Sequence, residues 1–155
     1  MENNEEINKN LIKKYNKFLS VLLVIMIIFF VILKLYCISF VSGYSMYPTF
    51  KNGQLIRVYD KNVSHLKHNN IILMKANPKK LFSEVYIKRI VGMPEDKVFI
   101  SNGNLYVNDE IINDNFPQIK NAGIASEPIT LENNEYFVLG DNRNNSKDSR
   151  SFGVV

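Results

Sequence analysis

The sequence predicts a mainly β domain carried on a single N-terminal transmembrane helix, and three observations point there. Apolar residues are concentrated in one N-terminal run, Phe18 to Leu33 (FLSVLLVIMIIFFVIL). Beyond about residue 42 the apolar residues fall into short runs rich in β-branched and aromatic types. Gly, Asn and Pro punctuate those runs, as turns require. At 155 residues and 17.9 kDa, the chain has room for one core plus an N-terminal addition.

The N-terminal run falls short of the roughly 20 helical residues a hydrocarbon core needs. Only Lys34 separates it from a second apolar stretch, Leu35 to Val41. A lysine near a helix end can snorkel its ammonium to the interface, so the predicted span is residues 18–41. A buried core helix of this length would keep a polar face, and this one has none. A cleaved signal peptide would have a shorter apolar region and a small-residue cleavage site. A lipoprotein site at Cys37 would follow small residues, whereas Lys34, Leu35 and Tyr36 precede it. A retained signal anchor fits best.

Orientation follows from charge. Lys9, Lys13, Lys14 and Lys17 precede the span, so residues 1–17 should form a cytoplasmic tail. Residues 42–155 should then lie on the extracytoplasmic face of the cell membrane. The net charge of +4 is scattered rather than gathered into a stripe. It suits a surface near an anionic bilayer, and no nucleic-acid partner is expected. Cys37 stands alone, which excludes an internal disulfide framework.

Strands are expected at Gln54–Tyr59, Asn70–Met74, Glu84–Val91, Lys97–Ile100, Asn104–Val107 and Glu135–Leu139. Ser101-Asn102-Gly103 should close a hairpin, because Asn-Gly tolerates the positive φ of a tight turn. Residues 109 to 129 contain Pro117, Gly123 and Pro128 and read as a long, irregular connection.

Chemistry enters through two segments. Ser42-Gly43-Tyr44-Ser45-Met46-Tyr47-Pro48-Thr49 directly follows the span; by itself, a Ser between Gly and Pro reads as a turn. In Glu84 to Gly92 (EVYIKRIVG), alternation puts Lys88 on the face of Tyr86 and Ile90. A lysine on an apolar strand face loses hydration, which is unusual without a purpose. A register shift would instead leave Lys88 outside and Arg89 inside.

These residues carry a family resemblance. Ser45 to Thr49 resembles the nucleophile box of type I signal peptidases, and Tyr86 to Gly92 resembles their lysine box. The string Gly140-Asp141-Asn142-Arg143-Asn144-Asn145-Ser146-Lys147-Asp148-Ser149-Arg150 resembles their last box. The three occur in the family's order behind an N-terminal anchor. The resemblance implies an antiparallel β-sheet protease domain and a membrane-bound serine endopeptidase. Such an enzyme removes signal peptides from exported preproteins, with the lipid bilayer and the secretion translocon as neighbours.

The resemblance also implies roles. Ser45 would be the nucleophile and Lys88 the general base, since burial can lower a lysine pKa enough to free the amine. Ser146 matches a hydroxyl that hydrogen-bonds the lysine. Asp148 with Arg150, and Asp141 with Arg89, match supporting ion pairs. The Ser45 backbone N–H would donate to the oxyanion. Where some members carry a hydroxyl two residues earlier, this chain has Gly43; either main chain and water suffice or Ser42 compensates. Val41, Met46, Phe50, Tyr86 and Ile87 would line shallow pockets for small side chains, with the substrate added as a strand. No cofactor or metal is expected: His65 and His68 sit in a polar stretch, read as solvated, and with one distant Cys make a poor zinc set.

Three departures stand out. Asn69-Asn70 replaces a usual Gly-Asp, and Asn can make the same turn. Pro94-Glu95-Asp96 replaces Pro-Gly-Asp, which is tolerable if residue 95 keeps φ negative. The sequence ends at Phe152-Gly153-Val154-Val155, where relatives continue through another strand or two. A missing strand would expose a sheet edge. Self-cleaving repressors would carry a DNA-binding domain in place of the anchor, and a eukaryotic-type signal peptidase would have His at position 88. An inactive scaffold is hard to reconcile with Ser45, Lys88, Ser146 and Asp148 together. The short spacing between the last two boxes resembles the compact Gram-positive enzymes.

Overall fold

The computed structural model describes residues 2–35, 37–59, 65–76 and 84–155. They form two compact units, one of Met1–Ser39 with Leu55–Tyr59 and one of Phe40–Gln54 with Asp60–Val155.

The first unit is dominated by helix α1, Glu2–Leu35, of 34 residues. Within it, Lys9–Leu33 is long and apolar enough to cross a membrane, and none of its most apolar window is buried by protein. A helix that is apolar all round and uncovered is suited to lipid, and it is consistent with a membrane-anchored protein. The predicted span of 18–41 needs correction at its C-terminal end. The helix stops at Leu35, and Ile38–Phe40 form strand β1, paired with β2 at Leu55–Arg57. The helix gains its length toward the N-terminus instead, and the β-branched and aromatic side chains of 38–40 suit a strand. Tyr36 and the Lys34 side chain lie outside the described residues.

The second unit holds two antiparallel sheets. One has the order β3 (Ile71–Lys75), β4 (Val85–Gly92), β9 (Phe137–Leu139). The other has the order β7 (Glu110–Ile111), β6 (Asn104–Val107), β5 (Lys97–Ser101), β8 (Ile129–Thr130). Val91, Val98, Ile100, Leu105, Ile119, Leu131, Phe137 and Leu139 are among the side chains that meet in one core, packed from both sheets. The β5–β6 hairpin turns through Asn102 and Gly103 at φ of 50° and 78°, the conformation anticipated for Asn-Gly.

Residues 109–129 are less irregular than expected. They hold β7, a 3-10 turn at Gly123–Ser126 and the start of β8. Two-residue strands carry too little alternation to be read in advance. Helix α2, Ser149–Phe152, was also unforeseen; Asp148 caps it by accepting from the Arg150 N–H. Val155 exchanges both backbone hydrogen bonds with Tyr136, at 2.7 and 3.0 Å, just before β9. The bare edge expected there is therefore paired at that point.

The turns after the departures from the family pattern are now visible. Asn69 takes φ 67°, as an Asn readily does, but Glu95 takes φ 73°, against the expectation of a negative angle. A glycine would hold that angle without strain, and a glutamate does not. His68 is not simply solvated either. Its Nε2 lies 2.6 Å from Asp96 Oδ2, which pins the 65–70 loop to the β4–β5 turn. Burial pushes the Asp96 carboxyl up, but hydrogen bonds from Met93 N–H, Asn108 and His68 outweigh it and hold it below the usual range.

Candidate active site

Ser45 sits in a tight turn whose ends are tied together. Val41 N–H donates to Gln54 O at 2.9 Å and Gly53 N–H to Val41 O at 2.8 Å. Inside this loop, Tyr47 N–H donates to Tyr44 O and Phe50 N–H to Met46 O. Met46, only 2% exposed, anchors the turn in the core and leaves Ser45 half-buried. Gly43 takes φ 91°, an angle at which a side chain is strained. Its N–H donates to Asn52 Oδ1.

Lys88 lies on β4, the middle strand of its sheet, opposite Ile72 of β3. It is 2% exposed, so alternation placed it on the inner face as expected. Its Nζ stands 2.9 Å from Ser45 Oγ and donates to Ile87 O at 2.9 Å. Burial pushes the Lys88 pKa down, and the negative charges of Asp148 and Asp141 oppose that only in part. A lysine so placed is inclined to give up its proton next to a hydroxyl.

The segment Gly140 to Arg150 closes around this pair. Asn142 N–H donates to Ser45 O at 3.0 Å, and Asn142 Nδ2 donates to Tyr44 O at 3.1 Å. At Gly140 any Cβ would come within 2.5 Å of Ser45 O and press into Ser146, so only glycine lets the three segments converge. Asp141, fully buried, accepts from Arg89 Nε and Nη2 at 2.7 Å each, and from the Thr49 hydroxyl. That fork ties β4, the last box and the nucleophile turn together. Asp148, also fully buried, accepts from Arg150 Nε and Nη2 at 2.8 Å each and from Gly140 N–H at 3.0 Å.

The structure thus brings together Ser45, Lys88, Arg89, Asp141, Asp148 and Arg150, and treats others differently. Ser146 Oγ is buried with no hydrogen-bond partner among the described residues, so the bond to Lys88 that the resemblance implied is not formed in this arrangement. Val41 and Met46 are buried, at 5% and 2% exposure. Phe50, Tyr86 and Ile87 are half-buried, with Tyr86 stacked on Phe152 at 5.9 Å. His65 is exposed.

Sequence reasoning passed over Thr49, Asn142 and the brace formed by Asp114, Phe116 and Arg143. Arg143 pairs with Asp114 at 2.5 Å, and the Phe116 ring takes Arg89 at 5.4 Å and Arg143 at 4.8 Å. Asn142 lay inside a quoted motif, which was its signal. Asp114 and Phe116 lie in an irregular stretch and had none.

A hydroxyl facing a buried amine whose pKa burial pushes down, with no histidine beside it among the described residues, has the parts of a serine hydrolase that works through a lysine. Comparison with known proteins gives a serine protease family. Residues 12–155 match the family described as signal peptidase, peptidase S26. Signal peptidase I P of Bacillus subtilis subsp. natto is 32% identical over 143 residues, covering 85% of this chain and 76% of that protein. Signal peptidase IB of Staphylococcus aureus is 32% identical over 134 residues, covering 74% and 68%. A probable signal peptidase I-2 of Synechocystis is 43% identical over 76 residues, but this covers 49% of the chain and only 34% of that relative. A crystal structure of a signal peptidase I from Enterococcus faecalis aligns with 58% of this chain and 88% of its own, at 26% identity and a TM-score of 0.43. The chain belongs to the signal peptidase family, peptidase S26, a family of serine proteases, and its relatives place it among the bacterial type I members.

Proposed function

We propose that this protein is a membrane-bound serine endopeptidase that removes N-terminal signal peptides from exported preproteins after a small-x-small motif. The observation that carries the reading is the 2.9 Å approach of Lys88 Nζ to Ser45 Oγ around a lysine that is almost completely buried. A neutral Lys88 amine takes the Ser45 proton as Oγ attacks the scissile carbonyl carbon. Among the described residues the Ser45 N–H makes no hydrogen bond, which leaves it free to donate to the developing oxyanion. The tetrahedral species collapses, the protonated Lys88 passes its proton to the departing amine, and the mature chain leaves. Water, deprotonated by Lys88, then attacks the Ser45 ester; Lys88 returns that proton to the departing Ser45 Oγ, and the signal peptide leaves as a carboxylic acid.

Substrate placement follows from strand pairing. Val85 to Lys88 pair only with β3 among the described residues, and β9 begins its pairing at Arg89. Glu84 and Ile90 hydrogen-bond toward the β3 side, so in an antiparallel ladder Val85 and Ile87 turn their backbone groups the other way. Residues before the cut would fill that slot as an added strand. By their match to the family, Val41, Met46, Phe50, Tyr86 and Ile87 line shallow pockets that accept small side chains. Ser146 is assigned to Lys88 by its match to the family motif. The α1 span holds the N-terminus in the cytoplasm and the peptidase domain outside, at the bilayer surface and within reach of a secretion translocon. Mass analysis of a preprotein incubated with the detergent-solubilised protein tests this. Products split after a small-x-small site are expected, and an uncut preprotein, or a cut elsewhere, would overturn the reading.

A further inference from the structure

Immediately beside the nucleophile lies a cleft of about 430 Å³ lined by Tyr44, Tyr47, Lys51, Asn52, Asn142 and Asn145. None of these residues was given a role in substrate binding above, yet the cleft is firmly built. Asn142 holds the Tyr44 carbonyl and, through its N–H, the Ser45 carbonyl. Asn52 holds the Gly43 N–H, and Gln54 holds the Lys51 N–H. The rings of Tyr44 and Tyr47, one on each side of Ser45 in sequence, are 59% and 51% exposed. Exposed aromatic rings among side-chain amides are a surface suited to a polar, extended peptide, offering contact area with few rotors to order.

We propose that this cleft receives the first residues of the mature chain, those just after the cut, and that Lys51 favours a carboxylate among them. The proposal rests on the peptidase reading. The slot along Val85 to Ile87 takes the residues before the cut, and its inner end is closed where β9 reaches Arg89 at Leu139. The polypeptide must therefore turn away past Ser45. The cleft opens there, since Asn142 both lines it and binds the Ser45 carbonyl. Its charge is one-sided: among the described residues no acidic side chain lines it, and the Lys51 ammonium makes no ion pair or hydrogen bond. An Asp or Glu entering the cleft meets an unpaired cation, and a Lys or Arg meets repulsion.

The test uses preproteins with one signal peptide and Glu, Gln or Lys placed at each of the first three mature positions. Cleavage by the wild-type protein is compared with Lys51→Gln and Lys51→Glu, each checked for folding by circular dichroism. The expected result is a kcat/KM preference for Glu over Lys at one or more of these positions, about two- to fivefold for a solvent-exposed charge. It should vanish in Lys51→Gln, reverse in Lys51→Glu and shrink with added salt. The same Glu-to-Lys ratio in all three proteins overturns the proposal while leaving the peptidase reading intact. Failure of every protein to cut any substrate overturns the peptidase reading itself, and the cleft assignment with it.

Discussion

Lys88 Nζ and Ser45 Oγ meet at 2.9 Å although 43 positions separate them in the chain. Each is held by its own framework. Lys88 projects from a central strand, and Ser45 rides on a turn that the last box clamps through Asn142. No side chain has to be recruited to bring the two together, so the ordering cost has been met in folding.

The first prediction concerns pH. Burial lowers the Lys88 pKa, so cleavage should rise with pH as the amine loses its proton. The midpoint in kcat/KM should lie below the ordinary lysine value of about 10.4. Lys88→Arg, charged throughout, should stay inactive at every pH. The unfolded chain binds this proton more readily than the folded one, so burying Lys88 costs stability at low pH, and that cost shrinks as pH rises from the folded toward the unfolded pKa. Lys88→Met should abolish that trend in pH-dependent unfolding.

A second prediction concerns the Arg89–Asp141 fork. Asp141→Asn leaves a half-buried guanidinium without its counter-charge and should cost about 3–5 kcal/mol in denaturant unfolding. Arg89→Lys keeps the charge but loses the fork, so its loss should be smaller.

Gly140→Ala tests the convergence of three segments on one atom. The added methyl would sit 2.5 Å from Ser45 O, so the nucleophile turn must move. Cleavage should fall about 100-fold, as displacements near 1 Å can cause, while the circular dichroism spectrum is retained. Unchanged cleavage would show that Ser45 tolerates the shift.

Glu95 offers a gain rather than a loss. At φ 73° a glycine avoids side-chain strain of about 1–2 kcal/mol, against a backbone entropy cost of about 0.5–1 kcal/mol. Glu95→Gly should therefore raise the thermal midpoint slightly without affecting cleavage.

The inner position of Lys88 was legible because strand alternation is local and β4 is long. The β5–β6 turn was legible because Asn102-Gly103 has few conformations open to it. The helix end at Leu35 was not, since hydropathy continues through Leu35 to Val41 while backbone pairing with Leu55–Arg57 decides the structure. Nor was the angle at Glu95: the Glu95 N–H donates to Leu131 O, a contact 36 positions away that no local pattern carries. The support roles of Asp141, Arg89, Asp148 and Arg150 came from resemblance to a motif, and their geometry came from packing. His68 read as solvated because its partner, Asp96, is distant in sequence.

The most direct measurement is preprotein cleavage by the wild-type protein beside Ser45→Ala and Lys88→Ala, with folding verified for all three. The account predicts a cut after a small-x-small site by the wild type and none by either folded variant. Cleavage that survives in Lys88→Ala would contradict Lys88 as the base, and cleavage that survives in Ser45→Ala would contradict the acyl-enzyme.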